Sequence, residues 1–274
     1  MRKPHMTLPC PRFFIAATLC FLLASPVVPA SDTAKEQRWR EQIVEALLDG
    51  EPVTLKAGDT EFLGIYTEQT AARAQGAVIL LHGMGVHPDW PDVIQPLRIA
   101  LPEYGWSTLS IQMPILANDA AIRDYAAIWG EAPPRIDAAV TWLKKQGIEN
   151  IALVAHSLGA SMATTYLAGK PSKNVRALVA IGLSDLDLDP AMSSVAHLKK
   201  IRVPVLDLYG SLDMPLILKT AKLRRAAARK AGNRNYVQYR VEGADHFFQG
   251  AEDALVKKVR SWLARYAAGT EIRR

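Results

Sequence analysis

Short runs of wholly apolar residues alternate with helical patterns through most of the chain, and this alternation restricts its fold more than any other feature of the sequence. A run that is apolar throughout is typical of a parallel strand buried on both faces. The order of strand and helix predicts a doubly wound, mostly parallel sheet flanked by helices, which is an α/β fold. The predicted strands are 77–81, 106–111, 151–155, 175–181, 203–209 and 236–241, and the predicted helices lie near 92–103, 134–146, 158–168, 216–231 and 250–267.

The region before the first of these strands has a different pattern. Residues 34–49 have helical spacing of apolar side chains, and residues 53–68 alternate around an Ala-Gly-Asp turn, which predicts a hairpin. We therefore expect one domain over 31–274, with the helix and hairpin occupying 31–74. The connection between residues 181 and 203 is too short for a large cap domain.

The first thirty residues have the three parts of a secretory signal peptide. Basic residues come first, the apolar run "FFIAATLCFLLA" follows at 13–24, and small residues at Val28 and Ala30 fit a cleavage site after Ala30. The protein is therefore expected in the periplasm or outside the cell. The alternative is an uncleaved anchor, although the run is short for a membrane span and is closed by prolines.

Removal of this peptide changes the composition in two ways. Both cysteines of the chain, Cys10 and Cys20, leave with it, so the mature chain has no disulfide and no cysteine nucleophile. Three of the basic residues behind the formal net charge of +6 leave as well, and no nucleic-acid partner is expected. The basic helix near 216–231 indicates at most weak contact with an anionic membrane surface, and a solvated helix face is favoured.

Polar residues follow most of the predicted strands directly, and parallel strands deliver such residues to one edge of the sheet. One of them is Ser157, within "AHSLGAS", between a strand and a helix. This pattern resembles a nucleophile elbow, in which small residues two places before and after the serine let strand and helix cross closely. Gly159 fulfils this requirement, and Ala155 replaces the usual glycine with one extra methyl group, which we expect to be tolerated.

A serine nucleophile needs a base, which is usually a histidine held by a carboxylate. His246 follows the last strand and is the predicted base. Asp213, in the loop after the preceding strand, is the predicted acid. Asp207 lies inside that strand and is expected to be structural, while Asp185 and Asp187 remain rivals.

Acyl transfer also needs two N–H groups for the oxyanion. The sequence predicts that the backbone of Leu158, directly after the serine, supplies one and that of Met84, in "HGMG", the other. His87, close to that loop, and Trp129, within 114–134, are candidate substrate-binding residues. Neither a metal site nor a cofactor site is predicted.

The motifs "LLHGMG", "AHSLGAS", "YGSLD" and "GADHF" occur in an order that resembles the α/β-hydrolase fold superfamily of serine hydrolases, over residues 75–267. The stretch that begins "HGMGVHPDWPDV" is similar to an uncharacterised group of exported bacterial α/β-hydrolase-like proteins. The resemblance implies hydrolysis of an ester, thioester or amide through an acyl-enzyme.

Three hypotheses for the function follow. The first is an exported carboxylic ester hydrolase that acts on a small-molecule acyl substrate through Ser157. The second is a non-catalytic binding protein of the cell envelope on the same fold. The third is an acyltransferase with the same three residues. The sequence leaves the substrate and the oligomeric state open.

Overall fold

An eight-stranded sheet forms the centre of the protein in a computed structural model that describes Met1 and residues 30–269. The strand order is β1-β2-β4-β3-β5-β6-β7-β8, with β1 and β2 antiparallel to their neighbours and the remaining pairs parallel. The predicted α/β fold class is therefore confirmed. The strands are β1 Glu51–Ala57, β2 Thr60–Thr67, β3 Gly76–Leu81, β4 Trp106–Ile111, β5 Ile151–His156, β6 Val175–Ile181, β7 Val205–Gly210 and β8 Tyr236–Val241.

Helices cover both faces of the sheet, which explains why its central strands are apolar throughout. In β3, Ile79 and Leu81 belong to one core cluster, and Val78 and Leu80 to the other. Helices α3 and α4 pack against the first face, while α2 and α7 pack against the second. The helices are α1 Thr33–Ala46, α2 Ile94–Ala100, α3 Ala132–Lys145, α4 Leu158–Ala168, α5 Ser194–Leu198, α6 Pro215–Lys230 and α7 Glu252–Tyr266.

The predicted hairpin is formed by β1 and β2, and it joins the main sheet because β2 pairs antiparallel with β4. Helix α1 packs on this extension through Ile43, which lies with Leu63 and Ile65 in a small apolar cluster. The predicted signal peptide, its apolar run at 13–24 and its two cysteines lie outside the described residues. Its cleavage after Ala30 stays a prediction.

Three elements were not predicted, namely the 3₁₀ helices at Ile122–Glu131 and Pro190–Met192 and the short helix α5. Helix α6 is also less basic at its surface than the sequence suggests, because Arg224 is fully buried and forms an ion pair with Asp207. Among the residues that the structure describes, no helix combines the length and apolar character needed to cross a membrane.

Candidate active site

Ser157 lies at the turn between β5 and α4, at the carboxyl edge of the sheet. Its φ of 54° and ψ of −119° are a strained combination for a residue with a side chain. Such a turn exposes the hydroxyl and places it at the start of a helix. The local chain path is therefore that of a nucleophile elbow.

Close packing around this turn accounts for the small residues that flank the serine. A Cβ atom on Gly159 would lie 2.3 Å from the carbonyl oxygen of His82, so only glycine fits there. On the other side, Ala155 is fully buried, and it belongs to the core cluster on the face of the sheet that α3 and α4 cover. The structure thus accommodates alanine in the place where glycine is usual.

The structure brings Ser157, His246 and Asp213 together. His246 Nε2 lies 3.0 Å from Ser157 Oγ, and His246 Nδ1 lies 2.7 Å from Asp213 Oδ1. Because a carboxylate only accepts hydrogen bonds, it selects the tautomer with the proton on Nδ1 and leaves Nε2 free to accept the serine proton. The Asp213 carboxylate also accepts the N–H of Met214 at 2.7 Å, which holds it in place. This arrangement can deprotonate Ser157.

The rival carboxylates serve other purposes. Asp207 is fully buried and accepts two hydrogen bonds from Arg224, at 2.8 and 3.1 Å. Asp185 Oδ1 accepts hydrogen bonds at the start of α5, including the N–H of Val195 at 3.0 Å. Asp187 is exposed. The structural role expected for Asp207 agrees with these contacts.

The two residues predicted to supply the oxyanion donors, Leu158 and Met84, both line the cavity beside the serine. Leu158 is the first residue of α4, so its N–H has no acceptor within the helix. The loop that carries Met84 passes close by, since a Cβ atom on Gly83 would be 3.2 Å from that of Ser157. Both backbone groups therefore border the space in front of the hydroxyl.

The buried side chain of His82 holds this loop in place. Its Nε2 accepts the N–H of Met113 at 2.9 Å, so Nδ1 carries the proton and donates to the carbonyl oxygen of Gly83 at 2.9 Å. The Gly83 carbonyl and the Met84 N–H belong to one planar peptide unit and point in opposite directions. The His82 hydrogen bond therefore sets the direction of the Met84 N–H. Burial lowers the pKa of His82 to about 3, which keeps the imidazole neutral.

Sequence reasoning assigned no role to two residues that position His246. His156 donates from Nε2 to the carbonyl oxygen of His246 at 3.0 Å, and the two rings lie 4.8 Å apart. Burial lowers the pKa of His156 to about 4. Gly182 has a φ of 61°, and a Cβ atom there would lie 2.8 Å from His246 Cε1. In the sequence, the position of Gly182 directly after a buried strand indicates that it lies at the same edge of the sheet as His246.

A mostly apolar cavity of about 360 Å³ opens in front of the Ser157 hydroxyl. Its lining includes no lysine, arginine, aspartate or glutamate among the described residues. An uncharged ligand portion is therefore the best chemical match. The lining residues are Gly83, Met84, Val86, Trp90, Ile122, His156, Ser157, Leu158, Ser184, Leu186, Met214, Leu216, Ile217, His246 and Phe247.

The structure does not bring the two predicted substrate-binding residues to this cavity. Trp129 is buried in the core, where its indole N–H donates to Thr165 Oγ1 at 2.9 Å. His87 lies behind the lining residue Trp90, with ring contacts to Trp90 and Trp39. From the segment 114–134, the described lining includes only Ile122. The contacts of His87 and Trp129 are therefore those of packing residues.

Solved structures of other proteins share this architecture. A dienelactone hydrolase from Anabaena variabilis superposes with a TM-score of 0.64 at 20% identity, covering 80% of this chain and 98% of its own. An esterase from Pyrococcus furiosus gives 0.64 at 15% identity, with 82% and 96% covered. Est1E from Butyrivibrio proteoclasticus gives 0.62 at 14% identity, with 80% and 99% covered. At these identities the similarity establishes the α/β-hydrolase fold.

The sequence was also compared with protein families and with curated proteins. The family described as "Protein of unknown function (DUF3530)" matches residues 14–134 and 130–265, which is most of the chain. No curated protein matches the sequence significantly.

Proposed function

The chain belongs to the DUF3530 family of proteins of unknown function, and within that family we propose that it is an exported serine hydrolase that cleaves carboxylic esters. One observation carries the proposal, namely the continuous line of hydrogen bonds from Ser157 through His246 to Asp213 beside an apolar cavity. The similar structures are those of a dienelactone hydrolase and of esterases, which supports the same class of reaction.

The first half of the proposed reaction forms an acyl-enzyme. Ser157 Oγ attacks the ester carbonyl carbon while His246 Nε2 takes the serine proton. The carbonyl oxygen becomes negatively charged, and the N–H groups of Leu158 and Met84 would stabilise that charge. His246 then donates the proton to the departing alcohol, which leaves the acyl group on Ser157.

The second half releases the acid. Water loses a proton to His246 and attacks the acyl carbonyl, and the same two N–H groups receive the oxyanion again. Collapse of this intermediate returns the proton to Ser157 Oγ. Throughout, Asp213 stabilises the positively charged imidazolium form of His246 without taking up its proton.

The lining of the cavity favours an uncharged acyl group of moderate size. An anionic acyl group would be desolvated there without a cationic partner among the described lining residues, which is unfavourable. We therefore expect aliphatic or aromatic esters to be better substrates than esters of dicarboxylic acids.

Labelling with a fluorophosphonate probe tests the activated serine without a choice of substrate. The purified protein should be labelled, and Ser157→Ala should not. Labelling that persists in Ser157→Ala would overturn the assignment of the nucleophile. A folded wild-type protein that is not labelled would favour the alternative of a binding protein of the cell envelope. For a labelled protein, product analysis with an added alcohol separates hydrolysis from acyl transfer.

A further inference from the structure

A largely buried cluster of charged groups joins residues 31–36 to the body of the protein. Arg135 donates to both carboxylate oxygens of Glu36, at 2.9 and 3.0 Å, and one of its nitrogens lies 3.4 Å from Glu131 Oε2. Ser31 completes the cluster, because its backbone nitrogen donates to Glu131 Oε1 at 2.9 Å and its hydroxyl to Oε2 at 2.7 Å. Arg135 and Glu36 are only 1% and 5% exposed.

The cluster carries a net negative charge, because the carboxylates of Glu36 and Glu131 share the single guanidinium of Arg135. The ammonium group of the neighbouring Lys35 is directed away from both carboxylates, to the Leu116 carbonyl and to Asn118 Oδ1. Burial raises the pKa of Glu36, and the nearby Glu131 carboxylate adds to this rise. Glu131 is 29% exposed and shares the Arg135 guanidinium with the buried Glu36, so a further cation beside Glu131 would stabilise the cluster.

We propose that cleavage between Ala30 and Ser31 supplies this cation, and that the new α-ammonium group of Ser31 forms a partly buried ion pair with Glu131. In that cleavage water breaks the Ala30–Ser31 C–N bond, the Ala30 carbonyl carbon takes the hydroxyl, and the Ser31 nitrogen takes the proton. The amine then binds a second proton from solvent, because the pKa of a free α-amino group is about 8. Ala30 is exposed, so the preceding peptide can leave without displacing Ser31.

Hydrogen bonds connect the cluster to the candidate active site. Arg135 donates to the Gln112 carbonyl at 3.1 Å, and the Gln112 side-chain nitrogen lies 3.0 Å from His82 Nε2. His82 in turn holds the Gly83 carbonyl. Glu131 ends the 3₁₀ helix that begins at Ile122, a residue of the cavity lining. The cluster that processing would complete is thus linked to the oxyanion loop through Gln112 and His82, and to one residue of the cavity lining through the 3₁₀ helix.

This inference rests on the export proposed above and on the predicted cleavage after Ala30, and it does not depend on ester hydrolysis. The test uses the full chain, exported and purified after processing, with intact mass defining its first residue. Periodate cleaves the amino alcohol of an N-terminal serine when both its amine and its hydroxyl are accessible. We expect the folded protein to start at Ser31 and to react at least about tenfold more slowly than the same protein in urea.

Two variants test the role of the carboxylate. Glu131→Gln keeps an oxygen acceptor and removes the charge, so we expect oxidation about tenfold faster than in the wild type and a midpoint of thermal unfolding about 3 °C lower. The control Glu45→Gln changes an exposed glutamate of α1 and should match the wild type in both measurements.

Each of three results would overturn the proposal. A different first residue would refute the cleavage site, independently of any enzyme activity. Equal oxidation rates for the folded and the denatured protein would show that the amine is free. Equal rates and equal stability for Glu131→Gln and wild type would show that Glu131 does not pair with it.

Discussion

His82 Nδ1 donates a hydrogen bond to the carbonyl oxygen of Gly83 at 2.9 Å, and this contact orients the peptide unit that carries the Met84 N–H. The imidazole is almost fully buried and is itself held by the N–H of Met113. The candidate oxyanion donor is therefore fixed by a side chain that does not touch the cavity. His82 is a positioning residue in this arrangement.

Replacement of His82 by alanine should reduce kcat much more than it changes KM. Without the imidazole, the peptide of Gly83 can rotate, and the loss of one oxyanion donor costs about a hundredfold in rate. Steady-state kinetics with a p-nitrophenyl ester checks this. The matched control is His197→Ala, which removes another buried histidine whose ring is bonded to Thr164 Oγ1. Equal losses of kcat in the two folded variants would contradict the positioning role.

Gly182→Ala should displace His246 from Ser157. The new methyl group would approach His246 Cε1 to 2.8 Å, and a misplacement of about 1 Å in a reacting group can cost about a hundredfold in rate. Gly243→Ala is the control, because Gly243 also has a positive φ, 75°, but has no atom within 4 Å of the added group. We expect kcat to fall in the first variant alone, and similar activities would refute the steric explanation.

Substitution of Asp213 should reduce activity, whereas substitution of Asp207 should reduce stability. Asp213→Asn should lower kcat about 10⁴-fold and leave the protein folded, because the amide no longer selects the required tautomer of His246. Asp207→Asn should leave kcat unchanged but reduce the free energy of unfolding by about 3 kcal/mol, because it leaves the buried Arg224 without a counter-ion. Kinetics and urea unfolding of both variants test this, and an inactive, fully stable Asp207→Asn would contradict it.

Much of the fold was predictable because its signal is local. Strands such as β3 and β5 are covered on both faces, so their sequences are apolar throughout and stand out from the helices between them. The candidate catalytic residues were also accessible from sequence, because parallel strands deliver the residues that follow them to one edge. Ser157 and His246 are 89 positions apart and still meet there.

The residues that support this edge could not be predicted in the same way. The roles of His156 and Gly182 depend on contacts with His246 that only the packed structure defines. For Trp129, the sequence predicts a role in substrate binding, but the residue lies in the core. An aromatic residue in such a segment fits either position equally well. The indole N–H of Trp129 is bonded to Thr165 of α4, and no local pattern reveals that partner.

Acid should destabilise the protein through His156. An unfolded histidine has a pKa near 6.5, whereas burial lowers that of folded His156 to about 4. Between these values the unfolded state binds more protons, so the free energy of unfolding falls as the pH falls from 6.5 towards 4. His156 alone should account for about 2 to 3 kcal/mol of this loss. Urea unfolding of wild type and His156→Gln across the window tests it, and parallel losses would contradict it.

The backbone of Ser157 is strained, because the turn favours glycine whereas the proposed reaction needs a serine. This conflict predicts a difference in stability between two substitutions at this position. At a φ of 54° glycine relieves strain, so Ser157→Gly should be about 1 kcal/mol more stable than Ser157→Ala, although neither reacts with a fluorophosphonate. Ser193→Gly and Ser193→Ala are the matched pair, because Ser193 also precedes a helix but has a φ of −76°. Thermal unfolding of the four variants isolates the contribution of φ, and equal differences in the two pairs would show that the turn at Ser157 stores no strain.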